Sequence, residues 1–401
     1  MSRSEATCRA QRAILAVFVL GMLCSIPQPA HSQTYTVIHN FTAKGNDGAT
    51  PYGGPILDGK GNLYGTTYLG GTAGAGSVYK LSPSGSSWKY TSLYSFKGGH
   101  DGAGPAFGSL AIGANGLFGT TEGGGNLGVV FAVCACVTKE KVIHSFGNAN
   151  DGAQPIGGVV FDNAGNFYGT TSLGGAFGNG IVYKGTRYGQ GWIENPIYSF
   201  NNNGDPINPP AGVTLDAQGN IYGTSSLGGA NGFGAVYKLS PSASGWTETV
   251  LYNFQSLDDG ANPVGGVIVD SAGHLFGTTF DGGVNGGGTV YEMTPSTNGW
   301  TFTTIYSFVG GYSGPYNKLT LDANGNLYGF TNSAGAFGLG TIFKLSPGSG
   351  GWTLTDLHDF AGGDDGGQPY GSVAVDAKGN VFGTAVVGGT DNQGVVFEIT
   401  P

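Results

Sequence analysis

The chain has 401 residues, a formal net charge of −9, 79 glycines, 10% charged residues and 12% aromatics. Glycine is not placed at every third position, so a collagen helix is excluded, and the aromatic content argues against disorder. The acidic balance excludes an electrostatic nucleic-acid footprint.

The first segment carries Arg3, Arg9 and Arg12, then an apolar run over 13–26, then Pro27, Pro29 and the small-residue site Ala30-His31-Ser32. This is the pattern of a secretory signal peptide over 1–32, and it predicts a secreted, extracellular or periplasmic protein. The run is short for a bilayer span. An uncleaved anchor fits less well, and Gly21-Met22-Leu23 is a poor context for a lipid on Cys24. No later stretch is apolar enough to cross, so no membrane span is expected after cleavage. Residues 33–401 then form the working domain.

Repeats dominate that domain. An aromatic followed by glycine recurs at Tyr64, Phe118, Tyr168, Tyr222, Phe276, Tyr328 and Phe382. A phenylalanine marker recurs at Phe41, Phe96, Phe146, Phe200, Phe254, Phe308 and Phe360. A third marker falls at Tyr79, Phe131, Tyr183, Tyr237, Tyr291, Phe343 and Phe397. Three independent markers each count seven.

The third unit reads as four short strands. Residues 157–162 (GGVVFD) alternate and are β-branched, and a tight turn through Gly165 follows. Residues 167–171 form the second strand, 181–184 the third and 193–200 the fourth. No window has a sustained 3.6-residue period, so helix is expected to be minimal. The fold class is all-β, a seven-bladed β-propeller of four-stranded blades. A β-solenoid is the runner-up, but its rungs are much shorter. Residues 35–41 (YTVIHNF) match a fourth strand, and the chain ends after a third. The N-terminal strand is therefore expected to complete the last blade and close the ring.

Trp88, Trp192, Trp246, Trp300 and Trp352 open fourth strands and read as packing residues. His39, His144 and His358 stand where Tyr94, Tyr198, Tyr252 and Tyr306 stand elsewhere, which points to structure rather than to metal ligation.

The pattern resembles the GloVer (Gloeo/Verruco-type) tandem repeat of bacterial extracellular proteins, within the choice-of-anchor group. The matching residues include Tyr94-Ser95-Phe96, Asp101-Gly102 and Pro105. They continue through Asp162, Gly165-Asn166, Tyr168-Gly169-Thr170-Thr171, Gly174-Gly175 and Val182-Tyr183-Lys184. The resemblance covers about 35–401 and implies export and, in many members, a C-terminal surface anchor. It carries no catalytic or binding residues. The chain stops at Pro401 without a sorting tail, so a free secreted or periplasmic protein is expected.

Ligand sites favour loops on a rigid scaffold. The inter-blade loops and the Gly-Gly loops after the second strands share one face, and the candidate site is placed there. Its carboxylates are Asp47, Asp101, Asp151, Asp259 and Asp365, each followed by glycine. They read either as a ring attracting Ca²⁺ or a cationic ligand, or as turn formers capping their own backbone. The turn reading is favoured, because a feature present in most blades suits structure. Glu122, Asp281, His100, Tyr312 and Tyr316 break the repeat; they read either as candidates to stack on and hydrogen-bond a sugar or, the favoured reading, as drift in tolerant loops. Cys134 and Cys136 fall short of the four ligands of a zinc site and read as buried thiols or a strained bridge.

No catalytic residue is assigned. G-x-S-x-G, H-E-x-x-H, P-loop and EF-hand patterns are missing. No cofactor is expected, with Ca²⁺ the one ion the acidic loops would suit. The expected function is noncatalytic binding or scaffolding, with a carbohydrate or cell-surface polymer or protein as partner. A polysaccharide-active hydrolase or lyase and a structural envelope protein are the alternatives.

Overall fold

In the computed structural model the described residues are 33–401 without 106, 135–138, 148–149, 202, 311–313 and 317. Residues 1–32, expected to be a signal peptide, and Cys136 and Tyr312 lie outside them. Among the described residues, seven antiparallel sheets of four or five strands follow one another along the chain, beside two small two-stranded ladders. In blade 3 the strands run Val160–Phe161, Phe167–Thr171, Ile181–Tyr188 and Gly191–Ser199 from the axis outward. The protein is a seven-bladed β-propeller, and no helix among the described residues is long and apolar enough to cross a membrane.

The strands differ in length from the sequence reading for a physical reason. The innermost strands shrink to two or three residues. Residues just before them lie tight against a neighbouring blade. A Cβ on Gly54 would lie 1.8 Å from the Ser372 carbonyl oxygen, and one on Gly157 would lie 2.2 Å from the Gly212 nitrogen. The third and outer strands run longer, to eight and nine residues, because their far ends extend beyond the buried core to a tight hairpin at the exposed rim.

The ring closes as the termini suggest. Thr34–Asn40 pairs antiparallel with Val395–Thr400, from Thr34 opposite Thr400 to Asn40 opposite Val395. The first strand is thus the outer strand of blade 7. Every seam between blades then has the same kind of apolar filling.

That filling explains the repeated markers. The third-strand aromatics are fully buried, Tyr79, Phe131 and Tyr183 among them. Each lies flat over the glycine that follows the second-strand aromatic. A Cβ on Gly169 would sit 2.4 Å from Tyr183 Oη, and one on Gly223 2.3 Å from Tyr237 Oη. The phenylalanine marker is buried next to it: Phe96 meets Phe131 with ring centroids 5.0 Å apart. The tryptophans bridge blades. Trp192 packs edge-on to Phe118 of blade 2, and Trp246 edge-on to Tyr168 of blade 3. Edge-to-face pairs add stability beyond the area they bury.

The hairpin motif has an equally local cause. Asp162 accepts from the amides of Ala164 and Asn166, from the Asn166 side chain at 2.7 Å and from the Tyr168 hydroxyl at 3.1 Å. Burial opposes its charge, but these hydrogen bonds outweigh it and hold the carboxyl below its usual range. Lys184 covers the Tyr168 ring, 5.5 Å from its centroid. The same set recurs at Asp58, Asn62, Tyr64 and Lys80.

Candidate functional site

The acidic inter-blade loops are built as turns. Asp101 accepts from the Tyr94 hydroxyl at 2.7 Å and the Lys97 amide at 3.0 Å. Asp259 accepts from Tyr252 and from the amides of Gln255 and Leu257. Asp47 meets His39 at 3.2 Å and accepts from the Thr42 amide and hydroxyl. Asp365 meets His358 at 3.0 Å and accepts from the Ala361 amide. Asp151 lies 3.5 Å from His144. Histidine and tyrosine therefore exchange in the outer strand because both reach the same loop carboxylate. Asp205, in the irregular fourth loop, is held by Tyr198 and Asn201 in the same way. Among the described residues no three His, Cys, Asp or Glu side chains are grouped to hold a metal ion.

The repeat-breaking residues fall in different places. Glu122 accepts from the Tyr68 hydroxyl of blade 1, a bond that, ahead of burial, pushes the Tyr68 hydroxyl up to about 12. Asp281 accepts from the Asn262 side chain at 2.6 Å. His100 is exposed on the short turn Gly99–Asp101. Cys134 is disulfide-bonded, with its partner outside the described residues. Among the described candidates, Tyr316 alone reaches the axis.

At the axis Tyr316 joins residues that the sequence reading passed over. Four residues ahead of the inner-strand residue paired with the second-strand aromatic, the chain carries Tyr316, Tyr370, Tyr52 and Phe107 in the consecutive blades 6, 7, 1 and 2. Their centroids are 4.8 Å apart for Tyr316 and Tyr370, 5.0 Å for Tyr370 and Tyr52, and 5.3 Å for Tyr52 and Phe107. Burial, then the Tyr316 and Tyr52 hydroxyls, push the Tyr370 hydroxyl up. Blades 3, 4 and 5 place Ile156, Pro210 and Val264 at the same position. All seven side chains are half-buried. The mouth of the channel is thus half aromatic and half aliphatic, an asymmetry the seven-fold repeat does not require.

Beneath the arc the axis encloses a cavity of about 170 Å³, bordered by Phe107, Ile156, Pro210, Gly265, Lys318 and Ser372, from six different blades. A second space of about 350 Å³ lies further along, bordered by Ile56, Leu57, Lys318, Thr320 and Val375 among others. Lys318, Ser109 and Ser372 border both. Two residues ahead of the inner strand position paired with the second-strand aromatic, six blades carry glycine or serine and blade 6 carries Lys318. Its Nζ reaches across to blade 4 and donates to Thr214 Oγ1 at 2.5 Å. Thr214 Oγ1 in turn donates a hydrogen bond to the Val267 carbonyl. Burial lowers the Lys318 ammonium to about 8. Among the described residues, no Asp or Glu borders either cavity. Aligning the seven units position by position would have exposed both Lys318 and the aromatic arc.

No curated protein matches the chain. Among solved structures, one described as a putative gluconolactonase has a TM-score of 0.43 and 11% identity, covering 93% of each chain. A putative oxidoreductase (glucose dehydrogenase) from Thermus thermophilus has a TM-score of 0.42 and 13% identity, covering 92% of this chain and 99% of that one. A putative 6-phosphogluconolactonase from Bacteroides uniformis has a TM-score of 0.49 and 13% identity, covering 76% of this chain and 83% of that one. Likeness at this level carries no argument about activity. The model of the Gloeobacter/Verrucomicrobia repeat, by contrast, matches over 21–209, 126–316 and 209–401, and the chain belongs to that repeat family.

Proposed function

We propose that this protein is a secreted, noncatalytic binding module whose ligand is a carbohydrate or carbohydrate-bearing polymer seated at the axial mouth. The observation that carries the reading is the arc of Tyr316, Tyr370, Tyr52 and Phe107, four neighbouring half-buried rings from four consecutive blades. Aromatic faces on a rigid scaffold offer apolar area at little entropic cost, and tyrosine hydroxyls at their edges add polar contacts. Glycoside cleavage needs two carboxyl groups flanking the bond, and among the described residues none borders the axial cavities. The leader over 1–32 supports export, where polysaccharide is met.

Thermal shifts against a panel of soluble polysaccharides test this. A ligand at 100 times its Kd stabilises the folded state by about 2.7 kcal/mol, so one glycan class should raise the melting temperature by several degrees. Tyr52→Ala and Tyr370→Ala should remove the shift while leaving the unliganded protein folded. No shift with any glycan, or a shift that survives both substitutions, would contradict the reading.

A further inference from the structure

Lys318 is the residue of the axis that the fold does not need. Six blades pack the same position with glycine or serine. Lys318 is half-buried, and a partly desolvated ammonium is costly unless it is paired, yet no carboxylate of the described residues borders either axial space. Its one hydrogen bond given by the structure goes to Thr214, a neutral hydroxyl already donating elsewhere. An ammonium has three protons to donate. The side chain borders the same chamber as Ser109 and Ser372, which leaves the others open to a ligand there.

The geometry points to an acidic sugar as the ligand, with its carboxylate at Lys318 Nζ and its ring on the aromatic arc above. This deepens the carbohydrate reading and rests on it. The chamber of about 170 Å³ suits one small charged group rather than a chain of sugars. Phe107 belongs to both the arc and the chamber wall, so the stacking surface and the charge are contiguous. The partition assigns stacking to general glycan affinity and the lysine to selection of a carboxylate. Charge-assisted hydrogen bonds are the stronger kind, and no carboxylate lining the chamber competes for the lysine.

The test is calorimetric titration of the full chain with tetragalacturonate, with its fully methyl-esterified form, and with sodium sulfate. The same titrations are run on Lys318→Ser, which installs the residue that blades 2 and 7 already carry. The wild type should bind the acid at least about tenfold tighter than the ester, ~1.4 kcal/mol. Lys318→Ser should reduce the acid to the level of the ester and leave the ester unchanged. On the wild type, the Lys318 side-chain NMR signal should titrate at higher pH once the acid is bound. Equal binding of acid and ester would overturn the inference and leave the carbohydrate reading standing. Binding of neither would overturn both. Sulfate binding as tightly as the acid would make Lys318 a free-anion site and overturn the sugar assignment.

Discussion

The ring of Tyr35 stacks on the ring of His358, with centroids 3.8 Å apart and planes 6° from parallel. The Tyr35 hydroxyl also donates to the Asp365 carbonyl at 2.5 Å. Tyr35 belongs to the first strand and His358 to the outer strand of blade 6, so the N-terminal segment both completes blade 7 and ties it to its neighbour. Removal of residues 35–41 should lower the melting temperature by many degrees, and Tyr35→Ala by a smaller amount. Calorimetry on the two variants checks the order; an unchanged deletion variant would contradict closure by this strand.

The glycine after each second-strand aromatic should be irreplaceable. Gly169→Ala places a methyl 2.4 Å from Tyr183 Oη, in a fully buried seam. Overpacking of this kind costs about 1–3 kcal/mol. Gly59→Ala has nothing within 4 Å and should change stability by less than about 0.5 kcal/mol. Urea titrations of both variants measure the contrast.

The loop carboxylates should matter to folding and not to binding. Asp259→Ala leaves Tyr252 and two loop amides without their acceptor and should cost about 1–3 kcal/mol. Glycan affinity, if it resides on the axial arc, should stay within about twofold, since a loop turn remote from the rings acts on folding alone. Chelator should leave the melting temperature unchanged, because these carboxylates are occupied by hydrogen-bond donors. A chelator-sensitive melt would instead reinstate the Ca²⁺ ring.

Glu194 supplies a pH signature. Burial first, and the charge of Asp151 second, push its carboxyl up to about 8. His144 lies 3.7 Å away, but burial disfavours the charged imidazole, and Tyr183 is close on the other side. Unfolding releases the proton at the ordinary carboxyl value, so the folded state holds it more tightly. Stability from this group is therefore complete below about pH 4.5 and falls as pH rises towards 8. The melting temperature should drop over that interval, and Glu194→Gln should flatten the drop. A slope unaffected by Glu194→Gln would contradict the assignment.

The repeat made the fold legible. Gly169 and Tyr183 recur together because a side chain must be absent at one for the other to lie flat, and such a constraint prints itself in every blade. The Asp101 and Asp365 turns were legible for the same reason. The axis was harder to read, since Tyr52, Phe107 and Tyr370 look like ordinary loop aromatics until ring closure brings blades 1, 2, 6 and 7 together. Lys318 is a single change in a short, glycine-rich stretch, and its neighbour Thr214 lies 104 positions away. The candidates Glu122 and Asp281 broke the pattern visibly yet satisfy local partners, Tyr68 and Asn262. Departure from the repeat identified Tyr316 but did not by itself distinguish a site from a local substitution.

Calorimetric titration of the most stabilising glycan, with product analysis on the same sample, tests the central claim most directly. Saturable binding to the wild type without new reducing ends or unsaturated products, abolished in the Tyr52→Ala/Tyr370→Ala double variant, is the predicted result. Product formation, or binding undiminished in the double variant, would contradict a noncatalytic site at the axial arc.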